Sequence, residues 1–345
     1  MSATETSEHA SSGPPGTRPP GTGAPARRIR AMLSASNIAA VYVWLALIVI
    51  FAVWAPQLFL TSTTVKRILD ESAITGIAAL SIVLPLAAGV FDLSIGSTIG
   101  LSGIAAGWLL GHTGLPPAAV IVLGLGVGLL IGLFNSIVVV GLRINSFIGT
   151  LATGSIIAAM TLGLSGDQIL TNRISGSFAR FATASWGGIQ LPVFYLLVLM
   201  LAIGFLLEQT VFGRFTYAAG YNPDVTKLVG VSVARIRVLT LLSSGLVSAL
   251  AGIALTARIE AADPSNGPSY LIPAFSAAFL GATQFRHGRF NPWGTLLAVL
   301  MLTTGSIGLL LVGAPQWSPQ VFQGVVLIAA VGLGVLQGRR RDQAA

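Results

Sequence analysis

Cysteine is absent from this sequence of 345 residues, and charged residues make up only 9% of it. Without cysteine the chain forms no disulfide, no thiolate metal site and no cysteine nucleophile. Soluble domains contain about 25% charged residues. A chain with so few charges, in which 54% of the residues are apolar, avoids water over most of its length. The composition therefore predicts a membrane protein.

Sequence patterns of the common enzyme chemistries are also missing. There is no G-x-x-x-x-G-K-[ST] phosphate-binding loop, no H-E-x-x-H pair and no nucleophile elbow that would join a serine to a histidine and an acid. The three histidines, His9, His112 and His287, lie far apart in the chain. We therefore expect no catalytic site, no metal ion and no other cofactor.

The formal net charge of +8 has a simpler explanation than nucleic-acid binding. The basic residues stand between apolar runs, where they set the orientation of a protein in a membrane. We expect membrane lipid and no nucleic acid as partner. Residues 1–36 are polar and predict a disordered cytoplasmic tail. The first apolar run begins near Asn37, too deep for a cleaved signal peptide.

Ten apolar runs approach or exceed the length of about 20 residues that a helix needs to cross a bilayer. They cover about 37–55, 73–91, 93–111, 116–140, 147–165, 191–208, 236–257, 270–284, 293–312 and 319–337. Backbone groups in lipid must be satisfied internally, so runs of this length are helices. We predict an all-α, polytopic membrane helix bundle of about ten transmembrane helices over 37–338, followed by a basic cytoplasmic tail at 339–345.

The distribution of basic residues supports this count and places both termini in the cytoplasm. With ten spans and an inside N-terminus, 14 of the 19 basic residues lie inside. The five outside are Lys66, Arg67, Arg173, Arg180 and Arg258. This division agrees with the positive-inside rule. The loss of one span would reverse every later loop.

Two features, one inside a span and one between two spans, have two interpretations each. Gly124, Gly128 and Gly132 lie on one face of the fourth span, where they favour close helix packing or line a substrate path. Asp92 stands between the second and third spans, where it either belongs to a translocation pathway or caps the third helix. Pro273 in the short eighth span indicates a tilt or a kink.

The connection at 208–237 is the longest predicted inside loop. Asn222-Pro223 is typical of a helix start, and the residues from Pro223 to Leu228 suit a short amphipathic helix that ends at Gly230. Such a helix on the membrane surface fits a groove of another protein, although a solvated connector is the simpler interpretation.

Four sequence blocks together resemble the ribose-type ABC sugar permeases, a family that includes ribose, xylose, arabinose and galactose transporters. The blocks are Phe91–Ser97, Asn145–Thr153, Gly213–Arg235 and Gly281–Thr295, in the order of the family. The chain departs from the family pattern at Asn145, where a proline is usual, and at Ala282, where a second glycine is usual. The resemblance extends from about residue 40 to 338.

The resemblance implies an inner-membrane importer subunit with several protein partners. These are ABC ATPase subunits at the cytoplasmic face, an extracytoplasmic sugar-binding protein and a second permease chain in a homodimer or heterodimer. The residues implied for contact with the ATPase are Gly220, Asn222, Pro223, Asp224, Lys227, Leu228 and Gly230. Among them Leu228 is the apolar anchor, and Asp224 and Lys227 are rim charges. Candidates for the translocation pathway are Asp92, Ser94, Asn145, Ser146 and Phe147.

Three alternatives remain open at this point. An ABC permease for branched-chain amino acids or nucleosides would share the same architecture. An ion-coupled secondary carrier would need ionisable residues inside its spans, and these are scarce here. A membrane-embedded transferase would need an acidic or basic cluster that the sequence does not show.

Overall fold

A computed structural model describes residues 39–284 and 288–342, with side chains for residues 41–284 and 288–332. The predicted tail at 1–36 lies outside the described residues, as do residues 343–345 of the predicted basic tail. The description below concerns the unit that the chain forms from Ala35 onward.

The regular secondary structure of the described chain is helical, except for one antiparallel pair of two-residue strands, β1 (Ser185–Trp186) and β2 (Ile189–Gln190), and an isolated bridge between Leu170 and Ala262. The helices are α1 (Ala39–Trp54), α2 (Pro56–Phe59), α3 (Ser62–Ala87), α4 (Ile95–His112), α5 (Pro117–Ser136), α6 (Ser146–Ser165), α7 (Arg180–Thr183), α8 (Leu191–Gln209), α9 (Val211–Tyr221), α10 (Pro223–Leu228), α11 (Val233–Ile259), α12 (Leu271–Ala282), α13 (Pro292–Leu311) and α14 (Ser318–Asp342). A π-helical turn, Ile137–Gly141, extends α5, and a 3-10 turn, Gly267–Tyr270, precedes α12.

Six of the described helices are long and apolar enough to cross a membrane, namely α3, α5 with its π-helical turn, α6, α8, α11 and α13. The other four predicted spans also coincide with helices, α1, α4, α12 and α14. Of these, α12 has only 12 residues. The all-α membrane bundle predicted from the sequence is therefore confirmed.

The second predicted span, 73–91, has the wrong boundaries. The helix α3 begins 11 residues earlier, at Ser62, and ends at Ala87. The first turns of this helix contain charged residues, and the sequence analysis therefore assigned them to an outside loop. Arg258 anchors this part, since its guanidinium contacts the Glu71 carboxylate at 2.7 Å and donates to the Asp70 carbonyl oxygen at 2.8 Å. At the other end the chain leaves the helix at Gly89, whose φ of +71° suits glycine.

Two smaller differences concern the last helices. Pro273 is the third residue of α12, in the first turn, where proline replaces an amide that has no helical partner. No kink is needed there. The backbone of α14 continues in a helix through Asp342, so the first four residues of the predicted tail at 339–345 belong to this helix.

Helices α3 and α11 form the centre of the bundle. In the most apolar stretch of 18 residues in each helix, 72% of the residues of α3 and 67% of those of α11 are buried, against 28% of those of α5. The largest apolar cluster is built around α3, with Ile77 and Val83 fully buried there. By contrast, α5 and α6 expose large apolar side chains such as Val122 and Ile148. These faces suit contact with lipid or with another membrane helix.

The glycine face of α5 packs against α11. A Cβ on Gly128 would overlap the Gly245 carbonyl oxygen, and a Cβ on Gly245 would overlap the Gly128 carbonyl oxygen. A Cβ on Gly132 would lie 2.7 Å from the Leu241 carbonyl oxygen, and one on Gly124 would lie 2.8 Å from Ile253 Cδ1. The two backbones therefore approach directly, which is the packing interpretation of this glycine pattern.

One end of the bundle, here called the Arg258 end, is held by contacts between distant loops. Besides the Arg258–Glu71 ion pair, Leu170 and Ala262 exchange two backbone hydrogen bonds of 2.9 and 2.8 Å. The Arg173 guanidinium donates to the Thr113 carbonyl oxygen at 2.8 Å. All these segments are ones that the sequence analysis assigns to the outside.

Candidate coupling and translocation site

Two short helices, α9 and α10, connect α8 to α11 at the end opposite Arg258. Thr210 begins α9, because its hydroxyl oxygen accepts a hydrogen bond from the Gly213 amide at 3.2 Å. Asn222 ends α9 and begins α10. Its side-chain oxygen accepts from the amides of Asp224 and Val225 at 3.2 and 3.1 Å. This is an N-cap, which satisfies amides that lack a helical partner.

The helix predicted at 223–228 is confirmed as α10, with Pro223 at its first position. Gly230 follows the helix with φ of +82°, the left-handed conformation that commonly ends helices. The Lys227 ammonium lies 3.0 Å from the Asp224 carboxylate, and both side chains are exposed. The preceding helix α9 was not predicted, since its region was interpreted as loop.

An apolar surface projects from α10 and its flanks. Its members are Tyr221, Val225, Leu228 and Val229, with exposed fractions of 96%, 55%, 86% and 72%. We call these four residues the α10 knob. The sequence analysis singled out only Leu228 among them. The other three could have been found from the amphipathic pattern, since apolar side chains without internal partners suit a protein groove.

Gly220 lies against the bundle and not in the α10 knob. A Cβ at position 220 would overlap the Ala87 carbonyl oxygen at the end of α3. A Cβ on Gly89 would lie 3.2 Å from the Gly220 Cα. The end of α9 therefore touches the segment where α3 unwinds, with backbone against backbone.

The unwound segment between α3 and α4, residues 88–94, contains a buried carboxylate. Asp92 is 1% exposed, and its Oδ1 accepts hydrogen bonds from the Ser94 hydroxyl at 2.6 Å, the Ser94 amide at 3.1 Å and the Asn135 amide group at 3.4 Å. Asn135 also donates to the Ser94 hydroxyl oxygen at 2.7 Å and accepts from the Thr153 hydroxyl at 2.6 Å. We call Asp92, Ser94, Asn135 and Thr153 the polar cluster.

The polar cluster ties three helices together, because its members lie at the start of α4, in α5 and in α6. Each of its four residues is at most 2% exposed. The helix α4 begins at Ile95 with Ser94 at the N-cap position, so Asp92 bonds the cap residue and does not itself occupy the cap. Asn135 and Thr153 were missed by the sequence analysis. The available indication was their polarity within apolar runs.

The first turns of α6 satisfy the backbone of the unwound segment. The Phe91 amide donates to the Ser146 hydroxyl oxygen at 3.1 Å, and the Leu93 amide donates to the Thr150 hydroxyl oxygen at 2.9 Å. Asn145 is exposed and caps α6, since its side-chain oxygen accepts from the amide two residues later at 3.0 Å. Ser146 thus lies beside the polar cluster, whereas Asn145 has a structural role at the surface.

A row of aromatic rings runs from α6 towards α9. The ring centroids of Phe147 and Phe91 are 6.2 Å apart, those of Phe91 and Phe279 are 6.5 Å apart, and those of Phe279 and Phe290 are 5.3 Å apart. The Tyr217 hydroxyl of α9 donates to the Phe290 carbonyl oxygen at 2.7 Å. Phe147 is half exposed and begins this row.

The structure thus brings together most of the candidate residues at one end of the bundle. Asp92, Ser94 and Ser146 meet at the unwound segment, and Gly220 contacts that segment from α9. In the described part of the chain, no group of three His, Asp or Glu side chains is placed to hold a metal ion. A bundle of apolar helices with an unwound polar segment and a projecting helix pair has the architecture expected of an integral membrane transport subunit.

Comparisons with known proteins agree with this class. Residues 64–331 match the family of permease components of the branched-chain amino acid transport system. The chain belongs to this family.

Three relatives show how far the similarity extends. The ribose import permease protein RbsC of Bacillus subtilis is 33% identical over 287 residues, which cover 83% of this chain and 88% of that protein. The fructose import permease protein FrcC of Rhizobium meliloti is 31% identical over 288 residues, 80% of this chain and 78% of that protein. The L-arabinose ABC transporter permease protein AraH of Azospirillum brasilense is 30% identical over 296 residues, 84% of this chain and 85% of that protein. The chain is therefore a multi-pass permease of the inner membrane and not an enzyme, and ATP hydrolysis takes place on a separate subunit.

Proposed function

We propose that the chain is the membrane-spanning permease of an ABC importer that moves a monosaccharide, a pentose or a hexose, across the inner membrane. The observation that carries this proposal is the identity of 30–33% with permeases named for ribose, fructose and arabinose, over at least 80% of the chain. The family description names branched-chain amino acids, and a permease for such substrates is the alternative.

The proposed topology has ten spans and both termini in the cytoplasm. It is supported by the way the loops associate. The segments assigned to the outside meet at the Arg258 end, whereas α9 contacts Phe290 of a predicted inside loop and Ala87 near the inner end of the second predicted span. Because the chain has no cysteine, single-cysteine variants at Leu228 and Glu260 test this topology. A membrane-impermeant thiol reagent should label intact cells at position 260 and label position 228 only after lysis.

The proposed coupling mechanism is supported by the contacts of Gly220 with Ala87 and Gly89. The α10 knob docks in a groove of an ATPase subunit, and closure of the ATPases moves α10 and α9 as a pair. Gly220 then moves against Ala87 and Gly89, which displaces the unwound segment that carries Asp92. A two-state switch of this kind opens and closes a pathway next to the polar cluster.

The second permease chain packs against α6. This helix starts at the proposed pathway and carries Ser155, Ala159 and Gly163 on an exposed face at a spacing of four residues. Small residues at this spacing allow close approach of membrane helices. The pathway then lies between two copies or two similar chains, and the extracytoplasmic sugar-binding protein docks at the Arg258 end.

Reconstitution tests the proposed function directly. Proteoliposomes that contain the permease, its ATPase and its sugar-binding protein should accumulate radiolabelled ribose, fructose or arabinose when ATP is supplied on the ATPase side. Labelled leucine should not accumulate, and an uncoupler should leave sugar uptake unchanged. Uptake by the permease alone, or uptake driven by an ion gradient without the ATPase, would contradict the proposal.

A further inference from the structure

A cavity of about 530 Å³ opens beside α9, between this helix and the segment at 288–290. Ala87 and Gly220, the two residues of the backbone contact described above, form part of its lining. Arg214, Tyr217 and Arg289 line it as well. The cavity therefore combines apolar walls with a few polar side chains, and it reaches the contact through which α9 meets α3.

Two arginine side chains, those of Arg214 and Arg289, line this cavity together with Tyr217. Arg214 precedes Tyr217 by three residues on α9, so both side chains lie on the same face of the helix. The Arg289 guanidinium carbon lies 5.5 Å from the centre of the Tyr217 ring. This is a cation–π contact, which needs no N–H group of the guanidinium as a hydrogen-bond donor. Within residues 41–284 and 288–332, neither arginine has a carboxylate within 4.0 Å.

Among the described residues that line the cavity, Glu208 is the single carboxylate. Its Oε1 accepts a hydrogen bond from the Trp293 indole at 3.0 Å. The described lining thus contains two guanidinium groups and one carboxylate, which leaves an excess of one positive charge. Arginine edges match the geometry of phosphate oxygens and bind them in pairs of hydrogen bonds.

We propose that this cavity binds a phosphate group, carried either by an anionic lipid headgroup or by a small soluble phosphorylated compound. A bound phosphate would join α9 to the segment at 288–290 next to the Gly220–Ala87 contact. Occupancy would therefore hold the coupling helices against the bundle. The cytoplasmic location of the cavity rests on the proposed topology, whereas binding itself does not.

The test uses the full-length permease without ATPase, in two arms that separate the sources of phosphate. In the soluble arm, binding of radiolabelled inorganic phosphate is measured by equilibrium dialysis of the protein in phosphatidylcholine nanodiscs. In the lipid arm, retention of phosphatidylglycerol by the detergent-purified protein is counted by native mass spectrometry. Both arms compare the wild type with the Arg214→Gln/Arg289→Gln double variant. The control is Arg143→Gln/Arg235→Gln, which loses the same charge at exposed positions outside the cavity.

We expect the cavity variant to bind about tenfold less tightly in at least one arm, because each arginine contributes charge-assisted hydrogen bonds. The control should bind like the wild type. An effect in the soluble arm identifies a soluble phosphate, and an effect in the lipid arm identifies a headgroup. Equal binding by all three proteins in both arms overturns the proposal, as does an equal loss in the control.

Should the double glutamine variant fail to fold, Arg289→Gln alone and Arg289→Lys give the same comparison. The lysine variant keeps the charge but loses the planar fork, so its affinity should lie between those of the wild type and Arg289→Gln. Equal affinity of the wild type and Arg289→Gln contradicts the site. Since neither ATPase nor sugar is present, failure here leaves the importer proposal intact, and failure of the importer proposal leaves this binding unaffected.

Discussion

Gly220 of α9 contacts Ala87 at the end of α3 so closely that a Cβ at position 220 would overlap the Ala87 carbonyl oxygen. Two backbones in direct contact transmit displacement better than two flexible side chains, because neither can yield by changing rotamer. Five residues after Ala87, the chain reaches the buried carboxylate of Asp92. This contact connects the helix pair that carries the α10 knob to the segment that carries the polar cluster.

The first prediction concerns substitution of Gly220 by alanine. The added methyl group must displace α9 from α3, since the atoms that it meets are backbone. We expect sugar uptake by proteoliposomes to fall by about tenfold or more, a change of at least 1.4 kcal/mol in the coupling step. ATPase co-purification should persist, because the α10 knob is unchanged.

Gly126→Ala is the matched control for this substitution. Gly126 is also helical, but a Cβ there would have no atom within 4 Å. Alanine favours a helix over glycine by about 1 kcal/mol. The control should therefore transport like the wild type and melt at the same or a higher temperature. Normal uptake by Gly220→Ala would show that the Gly220–Ala87 contact does not couple the two sites.

The second prediction concerns the cap of α10. Asn222→Ala removes the oxygen that accepts from the amides of Asp224 and Val225. Loss of an N-cap costs about 1 kcal/mol, so the population of folded α10 should fall and ATPase co-purification should fall by about fivefold. Asn222→Asp retains an acceptor oxygen at the cap and should retain the ATPase. Equal losses in both variants would mean that the Asn222 amide itself touches the partner.

The third prediction separates the apolar and charged parts of α10. Leu228→Ala should weaken ATPase association by about tenfold, because burial of a leucine side chain contributes about 1.5–3 kcal/mol. Tyr221→Ala should have a comparable effect. Lys227→Ala and Asp224→Ala should bind the ATPase almost normally, since both side chains of this ion pair are exposed and such pairs contribute little. Surface plasmon resonance with the immobilised permease measures these differences.

The reverse pattern would contradict the proposal that the ATPase binds the apolar side chains of the α10 knob. If the two charge variants lost binding while Leu228→Ala retained it, the ATPase would recognise α10 through its charges. The coupling surface would then have to be sought elsewhere on α9 and α10.

Features set by neighbours in the sequence could be predicted, whereas those set by tertiary contact could not. Asn222, Pro223 and Gly230 define the ends of α10 through local backbone chemistry, and this helix was predicted with its observed bounds. Gly213 and Gly220 lie in the region 208–237 that was predicted as an inside loop. In the structure both residues lie in α9. Only glycine fits at these two positions, because backbone atoms of other residues occupy the space that a Cβ would need. No local pattern distinguishes these two uses of glycine.

The polar cluster shows the same limit. Asp92 was singled out because a charge between two apolar spans is conspicuous. Its partner Asn135 is 43 residues away, and the contact follows from the packing of α4, α5 and α6. The true start of α3 was missed for a related reason, since the ion pair of Arg258 with Glu71 joins residues 187 apart.

The fourth prediction concerns the role of Asn135. Asn135→Leu removes a donor to the Asp92 carboxylate, a donor to the Ser94 hydroxyl oxygen and an acceptor of the Thr153 hydroxyl, although Asp92 keeps its two bonds from Ser94. Each buried hydrogen bond contributes about 1 kcal/mol, so the melting temperature of the purified permease should fall by several degrees. Thr153→Val removes only the hydroxyl group with little change of side-chain volume, so its melting temperature should fall by less than that of Asn135→Leu. If both variants melt like the wild type but alter the concentration dependence of uptake, the cluster contacts substrate and has little structural role.

The last prediction concerns the second permease chain and uses the absence of native cysteine. Ala159 lies on the exposed small-residue face of α6, between Ser155 and Gly163. If this face meets its symmetry mate, two copies of residue 159 come within the Cα separation of about 4.4–6.8 Å that a disulfide needs. Mild oxidation of membranes with the Ala159→Cys variant should then give a product of twice the chain mass on a non-reducing gel.

Val198→Cys is the control, because Val198 on α8 is 65% exposed but lies on a face that is not lined with small residues. It should remain monomeric under the same oxidation. Cross-linking at 159 and not at 198 supports a homodimer with the pathway between the two α6 helices. No product at either position in a strain that expresses only this chain indicates a different partner chain or a different face. A product at 198 and not at 159 would move the dimer axis to α8 and separate the pathway from the polar cluster.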